Sequence, residues 1–228
     1  MRGVRCFASV LLLVPLVGTA WPQAAEKANQ GYETPEERSR VARNLDNPDR
    51  VDNQKPRELI AALGVAQGDT VADIGTGVGF MLPYLAEAVG PRGRVFAEDI
   101  FPDFLDKAQA KIRKHGWKNV ETVLGTEKDV KLSPGTINLA LILDVYHHFN
   151  YPADTLASIR KALKPAGRLV VVDFYRSRDH PRMSRDRLNE HIRLDRDGFA
   201  AEIQSAGFRL DRQFDHLPHQ YVLVFARD

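Results

Sequence analysis

The stretch "VADIGTGVGF", residues 71–80, sets three glycines on alternate positions behind an acidic residue and a short apolar run. A strand, a tight turn and the start of a helix are the elements such a pattern encodes. In an open α/β sheet, ligands sit outside the carboxyl ends of the strands, where this turn would lie. A dinucleotide turn needs G-x-G-x-x-G, and its third glycine falls on Phe80 here. A triphosphate loop would end in Gly-Lys-Ser/Thr, and no Lys follows. Both phosphate readings fail on spacing.

Working outward, the chain alternates between helical and strand patterns. Helix 56–63 stops at Gly64, strand 70–74 runs into the glycine turn, and helix 79–89 stops at "GPRG". Strand 94–98 leads to helix 102–115, where Phe104, Leu105, Ala108 and Ile112 recur at helical spacing and Gly116 ends it. Strands 119–124, 137–143 and 168–174 follow, with helix 152–163 before the last. Near-continuous apolar strands such as "LALIL" belong to a parallel sheet covered on both faces. After a polar stretch and a helix over 198–206, "FRLDRQFDHLPHQYVLVFA" reads as two strands joined by a Pro-containing turn. The expected fold is therefore α/β: a Rossmann-like, doubly wound, mostly parallel sheet closed by a C-terminal antiparallel hairpin.

The chain has 228 residues, 43% hydrophobic and 27% charged, with a formal net charge of +2. Residues 1–20 hold Arg2 and Arg5 and no acid, which leaves 30 basic against 30 acidic residues elsewhere. That balance provides no electrostatic footprint for nucleic acid or anionic lipid. "MRGVRCFASVLLLVPLVGTA" reads as an export signal, with a basic start, an apolar core and small residues Gly18 and Ala20 before a cut at Trp21. The apolar core is short for a membrane span, so an uncleaved anchor is the minor alternative. Cleavage would place the chain outside the cytosol, as in a periplasm, without its single cysteine, Cys6. Residues 21–54 read as a mobile polar leader with one short helix over 36–44, capped by Thr34 and entered through Pro35. Residues 55–228 form the main domain.

With its neighbours, "VADIGTGVGF" resembles motif I of class I S-adenosylmethionine-dependent methyltransferases. The resemblance covers about residues 55–226 through several motifs in order, and it implies the cofactor S-adenosylmethionine and methyl transfer to a small molecule. It places Asp73, Gly75, Thr76, Gly77 and Gly79 around the amino-acid end and ribose. A buried carboxylate is costly unless paired, so Asp73 calls for a donor nearby. At the end of the second strand, "VFAEDI" aligns Asp99 with the family's ribose-binding acid, with Ile100 beside it; Asp99 is favoured over Glu98 on strand register. In "LGTEKD", Thr126 stands where family members often carry an acid, which leaves adenine recognition open among Thr126, Glu127 and Asp129. "LDVYHHFNYP" resembles motif IV and places Asp144 near the transferred methyl, under a roof formed by residues 146–149.

His147 and His148 are the candidate catalytic bases, since a neutral imidazole titrates near working pH. No metal site is expected: adjacent histidines do not share a helix face, and His216 and His219 lie in the hairpin turn. The arginine-rich segment 176–187 reads as solvated, or as a lid over an anionic substrate. The competing reading is an exported protein that retains the fold and adenosyl-ligand binding without catalysis. An export signal also separates the enzyme from a cofactor made in the cytosol. Oligomeric state is not encoded in any pattern found here.

Overall fold

A computed structural model describes residues 24–228; the expected export signal lies outside them. The chain runs α1 (Glu26–Asn29), α2 (Pro35–Leu45), α3 (Arg50–Gln54), α4 (Pro56–Leu63), β1 (Thr70–Ile74), α5 (Leu82–Val89), β2 (Arg94–Asp99), α6 (Pro102–His115) and β3 (Val120–Leu124). It continues with β4 (Ile137–Leu143), a 3₁₀ turn (Tyr146–His148), α7 (Pro152–Ala162), β5 (Leu163–Phe174), α8 (Arg185–His191), α9 (Arg196–Ser205), β6 (Phe208–Phe214) and β7 (Gln220–Arg227).

Seven strands form one sheet in the order β3-β2-β1-β4-β5-β7-β6. The first five pair in parallel, and β7 inserts antiparallel between β5 and β6. This is the class I methyltransferase architecture that the sequence implied. Strand order reverses at β1, whose neighbours are β2 and β4, so a crevice opens at their carboxyl ends.

Period-two alternation divides the core between the two faces. Leu139 and Leu141 of β4 join Leu59, Leu85 and Ile112 on one side. Ala140 and Ile142 join Leu156, Ile159 and Phe199 on the other. Each fully buried Leu or Ile contributes about 1.5–3 kcal/mol relative to an exposed one, so covering both faces is what holds the parallel strands together.

Several boundaries moved for local reasons. Helix α5 begins at Leu82, not at residue 79, because Gly77 and Gly79 hold φ of 56° and 79°. Left-handed residues cannot sit in a right-handed helix. Strand β5 begins at Leu163, not at residue 168, because Leu163 already pairs with Ile137 ahead of a register shift.

The leader differs most from expectation. It contains three helices packed onto the domain. Thr34 and Glu37 form a reciprocal capping box, with Glu37 N donating to Thr34 Oγ1 at 3.2 Å and Thr34 N donating to Glu37 Oε2 at 3.1 Å. Helix α1 packs against the 3₁₀ turn and against α8, and Ala24 N donates to Asn150 O at 3.2 Å. The arginine-rich segment ends in the first turn of α8, where Arg185 and Arg187 are exposed as expected, and the helix then buries Leu188 beside Ile192. Among the described residues, no helix is long and apolar enough to cross a membrane.

Candidate functional site

A cavity of about 330 Å³ opens at the carboxyl ends of β1, β2 and β4, the position expected for an open α/β sheet. The turn after β1 forms its floor. Gly75 and Gly77 hold φ of 67° and 56°, a region that side chains rarely adopt. A Cβ on Gly75 would lie 2.5 Å from Val145 Cγ1, so glycine is needed where the β1 and β4 turns meet. Thr76 also lines the cavity. Gly79, expected at the ligand, does not: its Cα faces Leu82 and Ala108, where it closes the turn onto α5 and α6.

Three acids reach this floor. Asp73, 3% exposed, accepts from Thr76 Oγ1 at 2.7 Å, which is the donor its burial required. Burial pushes its carboxyl up to about 6. Asp99 accepts from Gly77 N at 2.8 Å and Phe101 N at 2.9 Å, and burial likewise raises it to about 6. Glu98 also faces the cavity and accepts from Gly75 N at 3.3 Å. Burial, then the neighbouring Asp99, holds it well above the ordinary carboxylate range.

Ile100, Thr126 and Glu127 sit along one rim. Thr126 Oγ1 accepts from Asp129 N at 3.1 Å, and Glu127 accepts from Asn150 Nδ2 at 2.7 Å. Asp129 turns away to pair with Lys131 at 2.8 Å, which leaves Thr126 and Glu127 as the rim's polar groups.

Asp144 lies at the other end of the cavity with φ of 58°. It accepts from Gln54 Nε2 and, at 2.6 Å, from Gln220 Nε2. Arg50 Nη2 approaches it at 3.5 Å. Burial raises Asp144 to about 6, an effect opposed by Arg50. Arg50 is 7% exposed and lies over the Phe80 ring at 4.3 Å. The leader therefore supplies residues that no sequence motif flagged: Asn29, Tyr32, Arg50 and Gln54. Tyr32 lines the cavity and stacks on Phe101 at 5.9 Å; burial, then Asp99, pushes its hydroxyl up to about 12.

The two candidate bases separate. His148 lines the cavity, with Nδ1 bonded to Asn29 Oδ1 at 2.9 Å. Burial, reinforced by the neighbouring imidazoles, holds it well below its ordinary value. His147 does not reach the cavity: its ring is buried and held by Asp173 Oδ1 at 2.7 Å. The 3₁₀ turn places the two rings 4.2 Å apart, and α8 brings His191 to 5.0 and 5.2 Å from them. Two adjacent imidazoles singled out in the sequence thus converge with a third, His191, that no pattern marked.

A family model described as "Methyltransferase domain" matches residues 66–209. An arsenite methyltransferase of Halobacterium salinarum is 28% identical over 121 residues, which is 53% of this chain and 31% of that protein. A protein-L-isoaspartate O-methyltransferase of Methanococcus aeolicus is 32% identical over 109 residues, 48% of each chain. This chain thus spans less than half the length of either relative. The crystal structure of a SAM-dependent methyltransferase from Aquifex aeolicus superposes with a TM-score of 0.74 at 26% identity, covering 81% of this chain and 96% of that one. With the sheet order, the glycine turn and the family match in agreement, the chain belongs to the methyltransferase-domain family.

Proposed function

We propose that this chain transfers a methyl group from S-adenosylmethionine to a small-molecule acceptor. The observation that carries the proposal is the cavity at the strand-order reversal, floored by Gly75 and Gly77 and flanked by Asp99. Its chemistry fits the cofactor end to end. Asp99, at the tip of β2, accepts the ribose hydroxyls with the lone pairs its two backbone bonds leave free. Ile100 offers apolar surface to the adenine, and Thr126 and Glu127 meet its polar edge. Asp73 faces the ammonium and Arg50 the carboxylate of the amino-acid end, a pairing of opposite charges in a site shielded from water.

The bound cofactor supplies a methyl group on a positively charged sulfur, already activated for in-line displacement. The protein's part is then alignment and exclusion of water. Asp144, held by Gln54, Gln220 and Arg50, fixes the wall where the methyl is presented. His148 is the imidazole in contact with the acceptor, held by Asn29, and the His147 ring, anchored by Asp173, packs behind it.

The roof supports a small acceptor. Asn29, Tyr32 and Arg50 fold over the cavity from the leader, and such an enclosed pocket suits a small molecule more than a protein surface. Isotopic methyl transfer from labelled S-adenosylmethionine into cell extract tests this reading. Label is expected in the low-molecular-weight fraction. Label confined to macromolecules would contradict the acceptor class, and no transfer to any fraction would contradict the activity.

Residues 1–20 support export of the mature chain. Cell fractionation with N-terminal sequencing should find a chain beginning at Trp21 outside the cytosol. A cytosolic chain starting at Met1 would overturn export.

A further inference from the structure

His147, His148 and His191 converge where the 3₁₀ turn meets α8, and of the three His148 lines the cavity. Their ligand nitrogens all lie within 4.8 Å of one another. Two come from the 3₁₀ turn and one from the last residue of α8, so the cluster ties two elements together behind the cavity wall that His148 forms.

Hydrogen bonding fixes two of the rings. Asp173 Oδ1 and Oδ2 lie 2.7 and 3.0 Å from His147 Nδ1, and Asp173 also accepts from His147 N at 3.1 Å and Phe174 N at 2.8 Å. A carboxylate surrounded by donors calls for a proton on Nδ1, which leaves the lone pair on Nε2. His148 reaches the same state by another route. Asn29 Nδ2 donates to His148 O at 3.0 Å, and this orients the amide so that Oδ1 faces His148 Nδ1 at 2.9 Å. An amide oxygen there again requires Nδ1–H. Metal-binding histidines show this pattern, with the far nitrogen donating to a carboxylate or carbonyl and the near one left to the ion.

We propose that His147, His148 and His191 bind a divalent cation of the zinc class, with an open fourth position toward the cavity that takes a hydroxyl or thiol acceptor. Three protein ligands and one open position are the arrangement of catalytic zinc sites, with Zn–N distances of about 2.0–2.1 Å. Tetrahedral coordination at that length draws the nitrogens to roughly 3.4 Å apart, so the rings close slightly on the ion. Coordination lowers the pKa of a bound hydroxyl or thiol, and its proton leaves to solvent. The freed lone pair then forms the bond to the methyl carbon, and the carbon–sulfur pair returns to the sulfur. The acceptor role rests on the methyl-transfer reading; binding of the ion does not.

The test uses the full, untagged chain, stripped with chelator and titrated with Zn²⁺ and with Co²⁺ as a visible reporter. One Zn²⁺ per chain is expected by elemental analysis, with the intense visible bands of four-coordinate Co²⁺. His191→Gln should weaken Zn²⁺ binding at least tenfold and abolish those bands, and Asp173→Asn should weaken it roughly 10–100-fold. His216→Gln, remote in the hairpin turn, should bind as the parent does. A melting shift with S-adenosylhomocysteine in His191→Gln shows that this variant is folded; if it does not fold, Asn29→Ala should show the same weakening. Substoichiometric Zn²⁺ in the parent, or undiminished binding in both His191→Gln and Asp173→Asn, overturns the site. Stoichiometric Zn²⁺ without any adenosyl shift keeps the ion site and removes its acceptor role.

Discussion

Arg50 and Asp144 face each other at 3.5 Å, with side chains only 8% and 14% exposed. One comes from the leader and the other from the end of β4, so the pair fastens the roof to the sheet at the point where the methyl is to be presented.

Removing one partner of such a pair is costly, because the other is left buried and uncompensated; about 3–5 kcal/mol is the usual loss. Arg50→Met should therefore lower stability by that order and weaken adenosyl-ligand binding. Denaturant unfolding and ligand titration read the two effects separately. A variant as stable as the parent would show that the pair does not fasten the roof.

Gly75→Ala places a methyl against Val145 and a side chain at φ of 67°. Backbone strain of about 1–3 kcal/mol and the clash should together lower the melting temperature and abolish binding of S-adenosylhomocysteine. Adding Val145→Ala should restore part of the stability by relieving the clash alone. Full recovery in the double variant would show that the left-handed conformation carries no cost.

Asp73 and Asp99 are raised from an ordinary 3.8 to about 6. The folded state then holds protons that the unfolded chain has released between about pH 4 and pH 6. Their contribution to stability is fully present below pH 4 and is lost as pH rises through 6. Unfolding at pH 5 and pH 7 should show the parent losing stability relative to Asp73→Asn, and equal differences at both values would contradict the shift. An ammonium on the ligand favours ionised Asp73, so the melting shift with S-adenosylhomocysteine should be larger at pH 7 than at pH 5.

Deleting residues 24–54 removes Tyr32, Arg50 and Gln54 while leaving every strand in place. The shortened chain should keep its strand signal, lose the helical signal of α1, α2 and α3, and lose ligand binding. Retained affinity would make the leader a bystander.

These tests fall partly on residues that sequence patterns revealed and partly on ones they did not. Gly75 and Gly77 were legible because only glycine tolerates their backbone, and that spacing also excluded a dinucleotide. Asp99 was marked only through the family resemblance, which puts an acid at the end of the second strand; both it and its competitor Glu98 face the cavity. Arg50 and Tyr32 carried no such mark: each sits in a polar stretch, and tertiary packing alone brings it over the cavity. Arg185 and Arg187 are exposed as their composition suggested, but the helix they open, α8, carried no mark in the sequence because its inward face is only Leu188, with Ile192 just beyond it. His191 was missed for the same reason, and the histidine cluster with it. Gly79 was placed at the ligand by its membership in the pattern, whereas its left-handed φ serves the packing of the turn.

Asp99 lies at the centre of the account. A hydrogen bond to a charged group contributes about 1.5–3 kcal/mol, so losing the charge at this position should weaken the ligand by roughly ten- to a hundredfold. The most direct test is calorimetric titration of the full chain with S-adenosylhomocysteine, beside Asp99→Asn. One-to-one binding by the parent, weakened by that factor in the variant, is the predicted result. No binding by the parent at millimolar ligand, or equal binding by the two proteins, would contradict it.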